Sequence, residues 1–241
     1  MKIALLGYGK MGKTVEALAL QAGHEIVYKK FRNGSEGELA KAEVAIEFST
    51  PEAAKANIES CLLSDVPVVS GTTGWLEAYP EMVKLCEERN GSLIYASNFS
   101  VGVNLFFDLN EKLAAMMQSR PEYKAEITEI HHTQKKDAPS GTAISLAEGI
   151  ISSGKYKNWS LNAKGEDQLN IIAIREGDVK GTHHIQYESA IDGITISHKA
   201  YTREGFAKGA ILAAQWSLGR QGVFTMADVL NLKPAPGGEN N

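Results

Sequence analysis

The chain of 241 residues lacks the features that mark several classes of protein. Its only cysteines are Cys61 and Cys86, which excludes a disulfide framework or a cysteine zinc site and predicts buried free thiols. It has no apolar run long enough to span a bilayer and no apolar leader with a cleavage site, so we expect a cytoplasmic location. The net charge of −4 gives no reason to expect nucleic acid or an anionic membrane as a partner.

Short apolar strands alternate with helices over the first hundred residues or so. The predicted strands are residues 3–6, 26–28, 44–48, 66–70 and 93–96, and the predicted helices are residues 14–22, 51–63 and 77–88. This alternation is typical of a parallel sheet covered on both faces. It predicts an α/β fold with a Rossmann-type doubly wound parallel sheet.

The pattern changes near residue 101. A long helix is predicted at 103–118, half-exposed antiparallel strands at 124–133 and 186–197, and a helix at 142–151. Residues 154–168 are predicted to be a surface loop, 206–218 a helix and 234–241 a disordered tail. We therefore expect a dinucleotide-binding domain at 1–101, joined by the returning segment 207–241. A substrate-binding α+β domain with a mixed or antiparallel sheet is expected at 102–206.

The run Gly7-Tyr8-Gly9-Lys10-Met11-Gly12 follows the first strand and opens a helix. Glycines at this spacing allow a tight turn, close approach of a pyrophosphate and packing of the helix on the strand. Gly7, Gly9, Lys10, Met11 and Gly12 are therefore predicted cofactor contacts. The alternative is a glycine-rich corner that binds nothing.

The end of the second predicted strand reads Tyr28-Lys29-Lys30-Phe31-Arg32 and contains no acid that could hold the ribose diol of NAD. Cations here suit the extra phosphate of NADP. NADPH is thus the predicted preferred cofactor and NADH the other candidate, with Lys29 or Lys30 as the contact.

Two turns follow the next strands of the predicted sheet. They are Gly71-Thr72-Thr73-Gly74 and Ala96-Ser97-Asn98-Phe99. Because ligands bind outside the carboxyl ends of parallel strands, both turns are predicted to line the nicotinamide side of a cleft.

Acid–base and anion-binding groups are concentrated in residues 131–142. His131 and His132 point to opposite sides of an extended strand, so we expect them to have different tasks. Lys135 and Lys136 add positive charge, and Ser140 is a good N-cap for a helix whose free Gly141 and Thr142 N–H groups can bind a carboxylate. The alternatives are a plain basic loop or a metal site at the histidines, and we predict no metal.

The run His131-His132-Thr133-Gln134-Lys135-Lys136-Asp137-Ala138-Pro139-Ser140-Gly141-Thr142 resembles the signature of the 4-hydroxy-tetrahydrodipicolinate reductase (dihydrodipicolinate reductase) family of lysine and diaminopimelate biosynthesis. Further segments resemble family motifs in family order: 71–74, 98–104, 175–178 and 198–200. The resemblance covers essentially the whole chain.

The resemblance implies reduction of a cyclic dicarboxylate by NAD(P)H, with loss of water, in a homotetramer. It implies an acid/base role for His131 and a proton-donor role for Lys135. The substrate carboxylates would be bound by His132 and the Gly141-Thr142 backbone, in a site that includes Ser140. The implied cofactor contacts are Gly71, Thr72, Thr73, Ala96, Ser97, Asn98 and Phe99.

Two other functions compete with this one. A different two-domain dehydrogenase, such as one acting on aspartate, would not explain the run at 131–142. A regulatory protein that senses a dinucleotide would bind the cofactor without turnover and would not need His131 or Lys135.

Overall fold

The computed structural model describes residues 1–162 and 167–232 and divides into two compact units. Unit 1 comprises Met1–Val101 and Glu204–Leu232, and unit 2 comprises Gly102–Arg203. The predicted disordered tail at 234–241 lies outside the described residues, as does part of the predicted loop at 154–168. No helix in the described part of the chain is long and apolar enough to cross a membrane.

Strands and helices alternate through the first part of unit 1. In chain order they are β1 (Lys2–Leu6), α1 (Lys10–Gln21), β2 (Glu25–Phe31), β3 (Gly34–Gly37), β4 (Val44–Glu47), α2 (Pro51–Leu63), β5 (Val68–Ser70), α3 (Tyr79–Glu88) and β6 (Ser92–Tyr95). The next elements are α4 (Val101–Met117), β7 (Lys124–His131), α5 (Gly141–Ser152), β8 (Asn158–Leu161), β9 (Gln168–Arg175), β10 (Thr182–Glu188) and β11 (Gly193–Lys199). The chain returns to unit 1 with α6 (Glu204–Ser217), β12 (Gly222–Phe224) and α7 (Met226–Val229).

The sheet of unit 1 has the order β12-β6-β5-β4-β1-β2-β3 and is parallel except for the antiparallel pair β2 and β3. Both faces of β1 are buried. Ile3 and Leu5 pack in a cluster with residues of α1 and α6, whereas Ala4 and Leu6 pack in another cluster with residues of α2 and α3. The predicted Rossmann-type doubly wound sheet is thus confirmed.

The sheet of unit 2 has the order β11-β10-β7-β9-β8. The central strand β7 is antiparallel to β10 and parallel to β9, so the sheet is mixed. Side chains on one face of β7, including Ala125 and Ile127, form a core with α4 and α5. This confirms the predicted second α+β domain.

Two predictions of local structure in unit 2 are wrong. Residues 186–197 are not one strand, because Ser189 and Asp192 close a turn between β10 and β11 in which N of Ser189 donates to O of Asp192 (2.9 Å). Residues 154–168 are not all loop, because β8 pairs with β9 at the sheet edge. The short hairpin of β2 and β3 and the strands β9 and β12 are also absent from the predictions.

Candidate active site

Close backbone contacts shape the loop between β1 and α1. Gly7 has a φ of 95°, and a Cβ atom there would lie 2.0 Å from O of Phe48. A Cβ atom on Gly12 would lie 2.2 Å from O of Gly7, so α1 packs directly against the loop. A Cβ atom on Gly9, in contrast, would meet nothing within 4 Å, which leaves the approach to the helix open.

The N-terminus of α1 lies at the end of this loop. Gly9 is its N-cap and has no side chain to bond the first N–H groups, and Lys10 and Met11 are its first residues. N–H groups in the first turn have no partner within the helix and form its positive end. These residues fit the pyrophosphate of a dinucleotide.

Lys29, a predicted cofactor contact, already has protein partners. Its Nζ lies 2.7 Å from Oε1 of Glu16 and 3.3 Å from Oε1 of Glu36. The hydrogen bond that Nζ donates to Glu16 is the largest cause of a raised pKa for Lys29. Within residues 1–162 and 167–232, Lys30 has no ion-pair partner, which leaves it as the better candidate for a phosphate.

A buried carboxylate joins the turns that follow β4 and β5. Glu47 is fully buried and accepts hydrogen bonds from Oγ of Ser70 (2.7 Å) and Oγ1 of Thr72 (2.9 Å). N of Ser49 donates to Oε1 of Glu47 (3.0 Å) and to Oγ1 of Thr72 (2.8 Å). The predicted turn at 71–74 is thus tied to the turn after β4, a link that the sequence did not reveal.

The segment after β6 contributes mainly to packing. Phe99 is buried and packs edge-on against Phe48, with ring centroids 5.9 Å apart. N of Ala96 donates to O of Ser70 (3.3 Å), and Oδ1 of Asn98 accepts from N of Ser100 (2.9 Å). Ser97 and Thr73 are exposed. Among these predicted cofactor residues, the ring of Phe99 belongs to the core.

Strands β7, β9 and β10 bring a second cluster together in unit 2. In the sheet His131 lies opposite Arg175, and Glu129 lies opposite His183. Because alternate residues of a strand share a face, Glu129 and His131 are on the same buried side of β7.

Glu129 is at the centre of this cluster and is fully buried. Nη2 of Arg175 donates to Oε1 of Glu129 (3.0 Å), and N of Ser140 donates to both carboxylate oxygens (3.1 Å each). Nδ1 of His131 lies 3.2 Å from Oε2, and Nε2 of His183 lies 3.9 Å from it. The two imidazole rings pack edge-on, with centroids 5.2 Å apart.

These contacts fix the charge states in the cluster. Burial alone would raise the pKa of Glu129, but the nearby His131 and the hydrogen bonds from Ser140 and Arg175 outweigh it and lower the pKa to about 2. Burial, with the nearby His131 as a smaller cause, lowers the pKa of His183 to about 3. At neutral pH, Glu129 is therefore an anion and His183 is neutral.

The loop that follows β7 carries Lys135. Nζ of Lys135 donates to both carboxylate oxygens of Asp137 (2.8 and 2.7 Å), and this hydrogen bond is the largest cause of a lowered pKa for Asp137. Arg175 anchors the backbone of this loop, because its Nη2 donates to O of Asp137 (2.6 Å) and its Nε donates to O of Lys135 (3.4 Å). Lys135 is thus a partly exposed cation on an anchored loop.

The loop ends at the N-terminus of α5. Oγ of Ser140 accepts from N of Ala143 (3.2 Å), as an N-cap does, and lies 3.2 Å from Nε2 of His183. A Cβ atom on Gly141 would meet nothing within 4 Å, so an anion can approach the N–H groups of Gly141 and Thr142. The partly exposed His132 follows the end of β7 and has no contact with Glu129 among the described residues.

The cluster also has the composition of a metal site. Ligand atoms of Glu129, His131 and His183 all lie within 4.8 Å of one another. The prediction of no metal overlooked Glu129, which stands two residues before His131 in the sequence. However, the guanidinium of Arg175 already neutralises this carboxylate and would repel a cation.

Two family models match most of the chain. The family model "Dihydrodipicolinate reductase, N-terminus" matches residues 1–99, and "Dihydrodipicolinate reductase, C-terminus" matches residues 102–230. The chain is 50% identical over 234 residues to the 4-hydroxy-tetrahydrodipicolinate reductase of Christiangramia forsetii, covering 96% of this chain and 98% of that one. It is 39% identical to the enzyme of that name from Aquifex aeolicus, covering 86% and 80% of the two chains.

Solved structures share the fold. A dipicolinate-bound dihydrodipicolinate reductase from Paenisporosarcina sp. TG-14 has a TM-score of 0.75 at 23% identity and covers 95% of this chain and 98% of that chain. An aspartate dehydrogenase from Thermotoga maritima has a TM-score of 0.50 at 13% identity, covering 89% and 95% of the two chains. Together with the matches to both family models, the sequence identity shows that this chain belongs to the dihydrodipicolinate reductase (4-hydroxy-tetrahydrodipicolinate reductase) family of NAD(P)H-dependent oxidoreductases.

Proposed function

We propose that unit 2 binds 4-hydroxy-tetrahydrodipicolinate and that unit 1 binds the NAD(P)H that reduces it, in lysine and diaminopimelate biosynthesis. The reaction consumes one hydride and one proton and releases water and tetrahydrodipicolinate. The observation that carries this proposal is the anchored cationic loop of a family member, which ends at a helix N-terminus open to an anion. A reaction that uses NAD(P)H also favours the cytoplasmic location expected from the sequence.

The substrate carboxylates fit the two ends of the loop. We assign one to the N–H groups of Gly141 and Thr142, where α5 presents its positive end. His132, which has no contact with the Glu129 cluster among the residues described, is assigned to the other. The Ser140 side chain caps α5 and therefore supports this site rather than contacting the ligand itself.

Lys135 is the proposed proton donor. Its ammonium is held by Asp137 at the edge of the loop, where a bound dicarboxylate can compete for it. His131, placed against the Glu129 carboxylate, can hold or release a proton at its ring. The bound reduced nicotinamide supplies the hydride, and the residues of unit 2 hold the substrate and deliver the proton.

NADPH is the proposed preferred cofactor. The end of β2 is cationic, and of its two lysines Lys30 is the one without an ion pair in the described part of the chain. Replacing Lys30 by Gln should lower the ratio of kcat/KM with NADPH to kcat/KM with NADH. The matched Lys29→Gln variant should change thermal stability more than this ratio, because it breaks the contacts with Glu16 and Glu36. An unchanged ratio in Lys30→Gln would remove this residue from cofactor recognition.

A homotetramer is the proposed assembly. The face of the unit 2 sheet opposite α4 and α5 carries Ile130, Ile172 and Ile174, and Ile174 is 38% exposed. The edge strand β11 exposes Ile194 by 40%, and the turn before it exposes Ile191 by 94%. Exposed isoleucines on a sheet face and at an open sheet edge favour association with other copies of the chain. Light scattering that gives the mass of a monomer would overturn this assignment.

The reaction itself is tested by the absorbance of NADPH. The cyclic substrate should be generated freshly by the preceding enzyme of the pathway. Oxidation of NADPH that depends on this substrate, and not on aspartate or its keto analogue, is the expected result. Binding of NADPH without any turnover would instead favour a regulatory protein.

A further inference from the structure

We infer that Glu129 and Arg175 form a buried strut that positions the two groups active in proton transfer. The inference rests on the proposed roles of His131 and Lys135, and it assigns Glu129 and Arg175 as positioning residues rather than catalytic ones. Both lie beneath the loop at 132–140, with Glu129 fully buried and the side chain of Arg175 20% exposed.

Arg175 supports the middle of the loop. Its Nη2 bonds at once to Oε1 of Glu129 and to O of Asp137, and its Nε bonds to O of Lys135. A guanidinium presents these donors in one rigid plane, so the position of the carboxylate determines where the two carbonyls can lie. The backbone that carries Lys135 is therefore held in place through Arg175 by Glu129.

Glu129 supports both ends of the loop. Its carboxylate accepts from N of Ser140, the residue just before α5, and lies 3.2 Å from Nδ1 of His131, the last residue of β7. The remaining neighbour, His183, is neutral because its burial lowers the pKa to about 3. The carboxylate of Glu129 thus sets the position of the His131 ring relative to the N-terminus of α5, where the substrate is proposed to bind.

The competing explanation is that the pair serves stability alone. Removing one partner of a buried ion pair leaves an unpaired charge and destabilises the fold, whereas replacing both partners by neutral groups of similar size is often tolerated. The double variant Glu129→Gln/Arg175→Met should therefore be more stable than either single variant. If the pair is a strut, activity should not return with stability.

The decisive measurement compares Tm and kcat/KM in these variants. We expect both single variants to lower Tm and the double variant to recover most of the loss. The kcat/KM of the double variant should stay about a hundredfold below that of the unaltered enzyme, the cost typical of a displaced reacting group. A double variant that recovers kcat/KM together with Tm would overturn the inference.

Arg175→Lys provides a second variant if the double variant does not fold. Lysine keeps the charge but cannot reach Glu129 and two carbonyls at once, so Tm should change little while kcat falls. The matched control for Glu129→Gln is Glu126→Gln, the same change on β7 but on the opposite face, where Glu126 accepts a hydrogen bond from Asn170. Unaltered kcat in Arg175→Lys would also refute the strut.

Hydrogen exchange separates this inference from the proposed function. Amides of residues 132–140 should exchange faster in Arg175→Lys than in the unaltered chain, and those within α5 should not. This comparison needs no substrate. If the unaltered chain does not oxidise NADPH, the proposed function fails while the strut is still judged by exchange. Unchanged exchange at 132–140 would refute the strut whatever the activity.

Discussion

Replacing Gly9 by alanine tests the dinucleotide loop without disturbing the fold. A Cβ atom at this position would meet nothing within 4 Å, and the backbone φ of −84° is accessible to alanine. The new methyl group would stand at the N-terminus of α1, where the pyrophosphate is expected to approach. The substitution should therefore act on ligand binding and leave packing intact.

The expected loss of stability is smaller for alanine at Gly9 than for alanine at Gly12. Alanine in place of glycine at an N-cap costs about 1 kcal/mol or less, so Tm should fall by only a few degrees. Gly12→Ala would place a methyl group 2.2 Å from O of Gly7, a contact that the backbone must relieve. Overpacking of this kind costs about 1–3 kcal/mol, and each kcal/mol lowers the Tm of a chain this long by roughly 2–4 °C.

The assay is titration of NADPH followed by nicotinamide fluorescence, with Tm measured on the same samples. Gly9→Ala should weaken binding by about tenfold or more, equivalent to ~1.4 kcal/mol, with little change in Tm. Gly12→Ala should lower both the affinity for NADPH and the Tm. Gly205→Ala, in the first turn of α6, is the control, since a Cβ atom there makes only an ordinary 3.4 Å contact with Ser100. Undiminished NADPH affinity in Gly9→Ala would refute the assignment of this loop to the pyrophosphate.

Three further predictions concern unit 2. Lys135→Ala should lower kcat far more than NADPH affinity, and normal turnover would remove Lys135 from the chemistry. Lys155→Met should destabilise the fold by about 1.5–3 kcal/mol in urea titrations, because Nζ of Lys155 donates to O of Arg120 and O of Tyr123 (2.6 Å each) after α4; an unchanged urea midpoint would show that these bonds contribute nothing. The stability of the fold should fall in acid, because the pKa values of Glu129 and His183 are lowered to about 2 and about 3, and the unfolded chain therefore binds more protons at these groups. The contribution of His183 should be complete above its ordinary pKa of 6.5 and lost toward pH 3, with a slope of at most about 1.4 kcal/mol per pH unit. His183→Phe should flatten the dependence of folding stability on pH between pH 6.5 and pH 3, and an unchanged dependence would contradict the lowered pKa of His183.

The sequence predicts most elements of unit 1 well because the strands β1, β4, β5 and β6 are buried on both faces. Continuous apolar runs such as residues 3–6, each followed by a helix with its own apolar side, leave little choice of architecture. The hairpin at Gly34–Gly37 was missed because its side chains are exposed and carry no apolar alternation. Lys29 was predicted to contact the cofactor from its charge alone, and only the folded chain shows that it forms an ion pair with Glu16 on α1.

The sequence predicted the loop of the site in unit 2, but not the residues that hold this loop in place. His131, Lys135 and the N-cap residue Ser140 lie close together in the sequence, so the density of such residues alone indicates a site. Glu129 could have been found, since a residue two positions before His131 shares its face of a strand. Arg175 lies in a segment that resembles a family motif, but its contact with Glu129 could not be predicted, and neither could that of His183, because both residues lie on other strands whose register is fixed only by the folded sheet.

The central claim is that the N-terminus of α5 and the Lys135 loop bind a dicarboxylate. A crystal structure of the chain with dipicolinate tests this most directly. We expect one carboxylate within hydrogen-bond distance of the Gly141 and Thr142 N–H groups, with Nζ of Lys135 turned from Asp137 toward the ligand. Dipicolinate bound away from these groups, with the Lys135–Asp137 contact intact, would contradict it.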